Sequence, residues 1–440
     1  MPISISKFLR EDGCNYASYD NYRKIASACD GMKPSSRKCL YTVLKNNVVE
    51  PKKVSQLKSD AASLTQYLHG DAALEGVLVG MAQDFAGTNN VPLLKRKGAF
   101  GNRLKPQAAA GRYIFTCKED YLDKIFRKED TPILTEQVFE GAVIEPKFYI
   151  PVLPMLLING SVGLTTGFSQ NILPRNPKEI TKWILNKLDG KSSSANLKPW
   201  FKGFTGTVED LGEGKWNVSG VYTTLKNGDI EITELPPSYT LEDYTGILDR
   251  LEDDKEIRSY KDLSDEGRFH FIVKPSRTGK AFNPEKLKLS EIVSEKYTSF
   301  DAENKIREFV SAGEILEYYF NLRFDYYQKR KEWLIGDLSN KISELKSRMA
   351  FVEGVVKKKI IISDRTDEEI YSQLDNTKNV IKLNNSYDYL LAMPIRSLTK
   401  EKVEKLRKEV ETAESSLDSL KKKSQTEMWK EDINNLKEIF

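Results

Sequence analysis

The sequence predicts a multidomain α+β protein, and three observations predict it. A basic N-terminal quarter carries two amphipathic helical patterns. Residues 200 to 275 alternate polar and apolar positions between turn signals, as strands do. The last third switches to long seams of apolar residues spaced 4-3-4, the mark of extended helices. At 440 residues the chain has room for about two to four domains. The expected division is 1–120, 121–300, an arm from 301–353 and 401–440, and a small tip at 354–400.

The basic quarter comes first. Residues 1 to 118 hold 18 Lys/Arg against 9 Asp/Glu, a net of +9 within a whole-chain net of +4. Such asymmetry predicts a face for a polyanion, with nucleic acid the first candidate. In Asp30-Gly31-Met32-Lys33-Pro34, a turn leads to a proline suited to the first helical position. On the helix that follows, Leu40, Val43 and Leu44 form one face, and Arg37, Lys38, Tyr41 and Lys45 the other. A basic and aromatic face at a helix start suits phosphate, although a lysine-rich solvated back would read the same. Tyr67-Leu68-His69-Gly70-Asp71 precedes a second helix with the stripe Leu74, Val77, Leu78, Met81 and Phe85, which Asp71 is placed to cap. Residues 94 to 104, with Lys95-Arg96-Lys97 and spaced glycines, read as a charged loop that either approaches a nucleic-acid backbone or is simply solvated.

Ala108-Ala109-Ala110-Gly111-Arg112-Tyr113-Ile114-Phe115-Thr116 closes the basic quarter. Arginine beside a phenol is the minimum set for attack on a phosphodiester: a phenolate nucleophile, and a guanidinium for the non-bridging oxygens. A strand tyrosine beside a solvated arginine has the same sequence.

Further along, helices are expected at 177–188 and 240–251 around strands at 203–208, 218–224 and 230–235, with Asn227-Gly228-Asp229 as a hairpin turn. Lys191 to Asn196 reads as a Ser-rich loop. Ile315, Tyr319, Leu322 and Tyr326, then Leu338, Ile342, Leu345, Met349 and Val352, form one seam. Val403, Leu406, Val410, Ala413, Leu417 and Leu420 form a second, and Trp429, Ile433, Leu436 and Phe440 a third. Two such helices around about 50 mixed residues predict an antiparallel coiled coil with a globular tip, most apolar at Tyr387 to Pro394.

Four cysteines without paired spacing argue for a reducing, cytoplasmic setting and against a zinc site. Two histidines, His69 and His270, exclude a histidine-rich metal centre. The longest apolar run, Phe148 to Ile158, is too short to span a bilayer.

Taken in chain order, these elements resemble the DNA-cleavage region of type IIA DNA topoisomerases. Asp30 to Pro34 with Arg37-Lys38 is similar to the family's D-G-L-K-P-x-x-R-K winged-helix signature. Tyr67 to Asp71 resembles its Y-H-H-G-E/D element, and Gly101 to Leu104 with Ala109 to Thr116 its G-x-R-L and A-A-x-R-Y-I-F-T run. Glu145 to Pro151 and Asn159 to Gly167 resemble E-P-x-x-Y-I-P and N-G-x-x-G-I-x-T-G. Leu316 to Tyr319, Arg330 to Leu334 and Met428 to Asp432 resemble the arms of the eukaryotic-type enzymes.

The resemblance implies a winged-helix domain, a β-rich tower domain, and a coiled-coil arm ending in a dimerisation tip. It implies that Tyr113 forms a 5′-phosphotyrosyl bond, with Arg112, Arg37 and His69 as supporting groups. It implies DNA contacts at Lys33, Lys38, Tyr41, Lys45 and Arg103, and a wedge between base pairs at Leu164. Three positions depart from the pattern: Leu68 replaces a histidine, Leu164 an isoleucine, and Gly111 a proline or methionine.

The family also uses Mg²⁺ on a TOPRIM module and ATP on an ATPase module, and neither module's acidic or glycine-rich elements occur in this sequence. The expected assembly is therefore a homodimer with a separate ATPase/TOPRIM subunit on double-stranded DNA, as for the cleavage subunit of DNA gyrase or the medium subunit of tailed-phage enzymes. No gyrase-type β-pinwheel follows the arm, which makes supercoiling less expected, while the choice between relaxation, decatenation and supercoiling stays open. A catalytically silent DNA-binding homologue is the alternative. A tyrosine recombinase or relaxase would want further basic catalytic residues or a histidine triad.

Overall fold

The computed structural model describes residues 4–70, 72–192, 197–276, 284–437 and 439. The expected cap at Asp71, most of the Ser-rich loop and Phe440 lie outside the described residues. The chain divides into two compact units: residues 1–323 with 430–440, and residues 324–429.

In the first unit, Pro34–Lys45, Val54–Leu64 and Ala72–Ala82 are helices. Their apolar faces meet through buried Cys39, Leu40, Val43, Val54, Leu57, Ala61, Leu74 and Leu78. A three-stranded antiparallel sheet accompanies them. In it Phe115–Lys118 lies between Lys52–Lys53 and Leu94–Lys97. Residues 94–97 are thus an edge strand rather than part of a loop. Backbone bonding to Phe115–Lys118 decides this, and an edge position tolerates their charges. The expected strand at 203–208 lies later, at Thr207–Gly212, paired with Lys215–Ser219 and so with Ser290–Ser294.

A four-stranded sheet runs Val221–Thr224, Ile230–Glu234, Phe271–Pro275, Ile257–Asp262. The Asn227-Gly228-Asp229 turn joins its first two strands, with Gly228 at φ +86°. The helix Leu241–Asp253 buries Tyr244, Ile247 and Leu248 against this sheet, and a Thr240/Asp243 capping box starts it. The helix Pro177–Leu188 begins on an Asn176 cap.

Residues 148–158 are core throughout, ending in the short helix Met155–Asn159. The hairpin Ser161–Leu164/Ser169–Ile172 follows. Its far end is anchored by a buried cluster. Arg175 pairs with Glu295 through both terminal nitrogens at 2.6 Å, and Glu295 also accepts from Trp216 Nε1 at 2.8 Å, Tyr297 Oη at 2.7 Å and Leu173 N at 2.8 Å.

The helix Ala312–Val356 is 45 residues, about 68 Å at 1.5 Å per residue, and continues from the first unit into the second. Within the second unit Lys400–Lys422 runs antiparallel to it: Lys346 pairs with Glu414 at 2.6 Å, and Arg407 with Glu353 at 3.4 Å. Trp429, fully buried, stacks on Tyr327 at 5.5 Å between centroids. Phe351, Val352, Ile360, Ile370, Leu374, Tyr387, Leu390, Val403 and Leu406 form one core around the helices Asp367–Asp375 and Asp388–Leu391. Among the described residues, no helix is long and apolar enough to cross a membrane.

Removing the Glu295 carboxylate strands a buried guanidinium at Arg175. Glu295→Ala is expected to lower stability by about 3–5 kcal/mol, measurable as a drop in the urea midpoint of the first unit.

Candidate active site and nucleic-acid interface

The start of the Pro34–Lys45 helix is built around one carboxylate. Asp30, fully buried, accepts from Met32 N at 3.0 Å and Tyr149 N at 3.0 Å. It also accepts from Arg37 Nε at 2.7 Å and Nη2 at 3.1 Å. Gly31, at φ +72°, lets the turn press on the Leu156 backbone, 2.5 Å from where a Cβ would sit. Arg37 is therefore not on the outward face assigned to it with Lys38, Tyr41 and Lys45. It is 3 % exposed, because Asp30 draws the guanidinium inward. Burial alone would lower its pKa, and the Asp30 charge more than offsets this and raises it.

The other cations of this helix remain nearer the surface. Lys38 Nζ meets Glu145 at 2.8 Å and donates to Thr65 O at 2.9 Å. Burial raises the pKa of that glutamate, and the lysine opposes the shift. Lys33 Nζ donates to Val162 O at 2.7 Å, and burial lowers its pKa. Lys45 donates to the Tyr41 hydroxyl at 2.9 Å.

His69 lies among aromatic rings, 5.4 Å from Tyr67 and 5.9 Å from Tyr19 between centroids. Its Nε2 is hydrogen-bonded to the Tyr19 hydroxyl, and the Arg23 guanidinium lies 5.6 Å over the Tyr19 ring. Lys38, His69, Tyr19, Tyr67 and Arg23 line one cleft of about 390 Å³.

Arg112 and Tyr113 occupy a turn, not a strand, and both are exposed, Tyr113 by 66 %. The Arg112 guanidinium sits 4.8 Å from the centre of the Tyr113 ring. Tyr113 N donates to Ala110 O at 2.9 Å, and the buried Ile114 leads into the strand Phe115–Lys118. Gly111 N donates to Glu75 at 2.7 Å, and Ser55 N donates to Gly111 O at 3.1 Å. Glu75 is salt-bridged to Lys58 at 2.8 Å. Glu75, Lys58 and Tyr19 carry no sequence signal beyond a polar residue on an amphipathic helix.

Arg103, expected as an outward DNA contact, is turned inward. It is 8 % exposed and donates to Tyr239 O at 2.5 Å, Leu235 O at 3.0 Å and Pro236 O at 2.7 Å, with the Phe269 ring at 4.8 Å. Three backbone carbonyls draw it in, one of which, Pro236 O, it shares with Tyr239 N at 3.1 Å. Leu164 is the opposite case, 77 % exposed at the end of its hairpin strand, two residues from Val162 at 67 %.

Residues 23–434 match the family of the A subunit of DNA gyrase/topoisomerase IV. The chain belongs to that family. It corresponds to the DNA-binding and cleavage region of type IIA topoisomerases. It is 33 % identical to DNA topoisomerase 2 of Penicillium chrysogenum, over 98 % of this chain and 30 % of that protein. It is 32 % identical to DNA topoisomerase 2 of Invertebrate iridescent virus 6, over 99 % of this chain and 39 % of that protein. A crystal structure of the Plasmodium falciparum topoisomerase II DNA-binding, cleavage and re-ligation domain superposes with TM-score 0.88 at 31 % identity, over 99 % of this chain and 64 % of that one. The chain thus spans about a third of the curated relatives it matches.

Type IIA topoisomerases use Mg²⁺. Among the described residues no three His, Cys, Asp or Glu side chains converge as a ligand set. Glu75, the carboxylate bonded to the tyrosine turn, is already engaged by Lys58 and Gly111. These residues do not make up a site for the ion.

Arg103 and Lys45 separate by their effect on DNA binding. Arg103→Ala is expected to lower the thermal midpoint and leave the salt dependence of duplex binding unchanged. Lys45→Ala is expected to reduce the slope of log K against log salt by about 1 with little effect on stability. Salt titrations by fluorescence anisotropy, beside thermal melts, read both.

Proposed function

We propose that this chain is the cleavage and religation part of an ATP-dependent type II DNA topoisomerase. The observation that carries the reading is the exposed Arg112–Tyr113 pair, on a turn whose backbone is held from both sides. The Tyr113 phenolate oxygen attacks a backbone phosphorus, the P–O3′ bond breaks, and the 3′ oxygen leaves with the electron pair. A 5′-phosphotyrosyl link remains. The reverse attack by the 3′ hydroxyl reseals the strand, so the linkage conserves the phosphodiester energy. Arg112 lies within reach of the non-bridging oxygens, where it offsets developing charge.

His69, in its cleft with Lys38, is a supporting group for the phosphate, and Lys33, Tyr41 and Lys45 contact the backbone in the winged-helix domain. Arg37 acts at one remove, fixing the helix that carries Lys38. Leu164 is the wedge that enters a base step of the bent duplex, a role its exposure supports. The strand-rich region is the tower, and the paired helices of the second unit are the arm. The tip, near Tyr387 to Pro394 and the exposed Ile395, is the second contact of a homodimer that opens to let a second duplex pass. Mg²⁺ and ATP would be supplied by TOPRIM and ATPase modules acting with this region.

The test combines the protein with those modules, Mg²⁺ and supercoiled plasmid, and quenches with detergent. Protein-linked linear DNA is expected, and Tyr113→Phe is expected to abolish it. Undiminished cleavage in that variant would overturn the reading.

A further inference from the structure

We propose that Glu75 is a positioning residue for the nucleophile, holding the peptide of Gly111 so that Arg112 and Tyr113 stand at a fixed place on the surface. This rests on the reading of Tyr113 as the nucleophile, and goes beyond it in naming what sets that group's position.

The Tyr113 side chain is 66 % exposed, so core packing does little to fix it. Its placement must come from the backbone that precedes it. That backbone is gripped at one residue by two helices. Ser55 N, at the start of Val54–Leu64, donates to the Gly111 carbonyl at 3.1 Å. Glu75, in the first turn of Ala72–Ala82, accepts from the Gly111 N–H at 2.7 Å. The Ala110 carbonyl then closes the turn onto Tyr113 N at 2.9 Å.

Glu75 is itself fixed. Its other carboxylate oxygen meets Lys58 Nζ at 2.8 Å, so three elements meet at the carboxylate: two helices and the tyrosine turn. The lysine and the Gly111 N–H hold the carboxyl below its ordinary pKa, and Arg112 adds to the effect. The carboxylate is therefore charged at neutral pH, and a hydrogen bond to a charged acceptor is among the stronger kinds.

Gly111 fits this role by what it lacks. A Cβ at this position would lie 2.6 Å from both Cδ and Oε1 of Glu75. Its backbone is not in the left-handed region, so conformation alone does not ask for glycine here. The missing side chain is what admits the carboxylate. Glu75 and Gly111 are thus one coupled pair, a small residue and a carboxylate that need each other.

The experiment measures single-turnover cleavage of a labelled duplex by the protein with its ATPase and TOPRIM modules and Mg²⁺, alongside duplex binding by anisotropy. Glu75→Ala is expected to slow cleavage on the order of ten- to a hundredfold, the penalty of a slightly misplaced nucleophile, with duplex affinity unchanged. Glu75→Gln, which keeps an acceptor for Gly111 N–H, is expected to restore most of that loss. Gly111→Ala is expected to slow cleavage in the native background and to cost little further in Glu75→Ala, where the obstructing carboxylate is gone.

Wild-type rates in Glu75→Ala would overturn the proposal. So would a Glu75→Gln variant as slow as Glu75→Ala with binding intact, or equal costs of Gly111→Ala in both backgrounds. Tyr113→Phe serves as a separate control: covalent complex surviving in that variant would sink the assignment of the nucleophile, whatever the Glu75 variants do.

Discussion

The Asp30 carboxylate is the group on which the interface half of the molecule depends. It is fully buried, and four donors converge on it: Met32 N, Tyr149 N and two nitrogens of Arg37. An isolated carboxylate in such a place would be expelled or protonated, so the arrangement survives only because each lone pair is met. The result is geometric. The turn before the Pro34–Lys45 helix, the helix itself and the Phe148–Ile158 core segment are locked into one relation. From the turn hangs Lys33, from the helix Lys38, Tyr41 and Lys45, and from the core segment the hairpin that carries Leu164.

The tyrosine turn solves a different problem by similar means. A nucleophile has to be reachable, and a reachable side chain makes few contacts to hold it. For Tyr113 as the proposed nucleophile, both demands are met by fixing the peptide at Gly111 and leaving the two side chains beyond it in solvent. Holding the peptide means that the cost of ordering the backbone is met during folding rather than in the reaction.

Local patterns were readable in the sequence, and distant partners were not. The Pro34 helix start, the apolar faces at Leu40 and Val43, the Asn227-Gly228-Asp229 turn and the 4-3 seams of the long helices are written in a few neighbouring residues, and the structure contains them. Arg37 and Arg103 read as outward cations because their helix face and loop are polar. What draws them inward is a carboxylate seven residues back and carbonyls 132 to 136 residues ahead. Leu94–Lys97 read as loop for a related reason: its pairing partner begins 18 residues on and supplies the order that Lys95-Arg96-Lys97 alone do not suggest. The Glu75–Gly111 pair, 36 residues apart, falls in the same class.

The Leu164 hairpin shows how exposure of an apolar side chain can be enforced rather than tolerated. Val162 and Leu164 are two apart on one strand and so share a face, and both are largely in solvent. A one-residue slip would turn them inward and gain apolar burial. Gly163 forbids it. Between them it lies so close to the Lys24 carbonyl that even a Cβ would sit 2.2 Å from that oxygen, so no valine or leucine fits there. Lys33 Nζ bonds Val162 O, and Asp20 accepts from Thr166 N at 3.0 Å, pinning the strand and the turn beyond it. The fold therefore gives up the burial of two large side chains to keep them outward. A surface held apolar against its own hydrophobic gain is open to an outside partner; under the proposed function that partner is a base step opened by bending, whose unstacked faces also need cover.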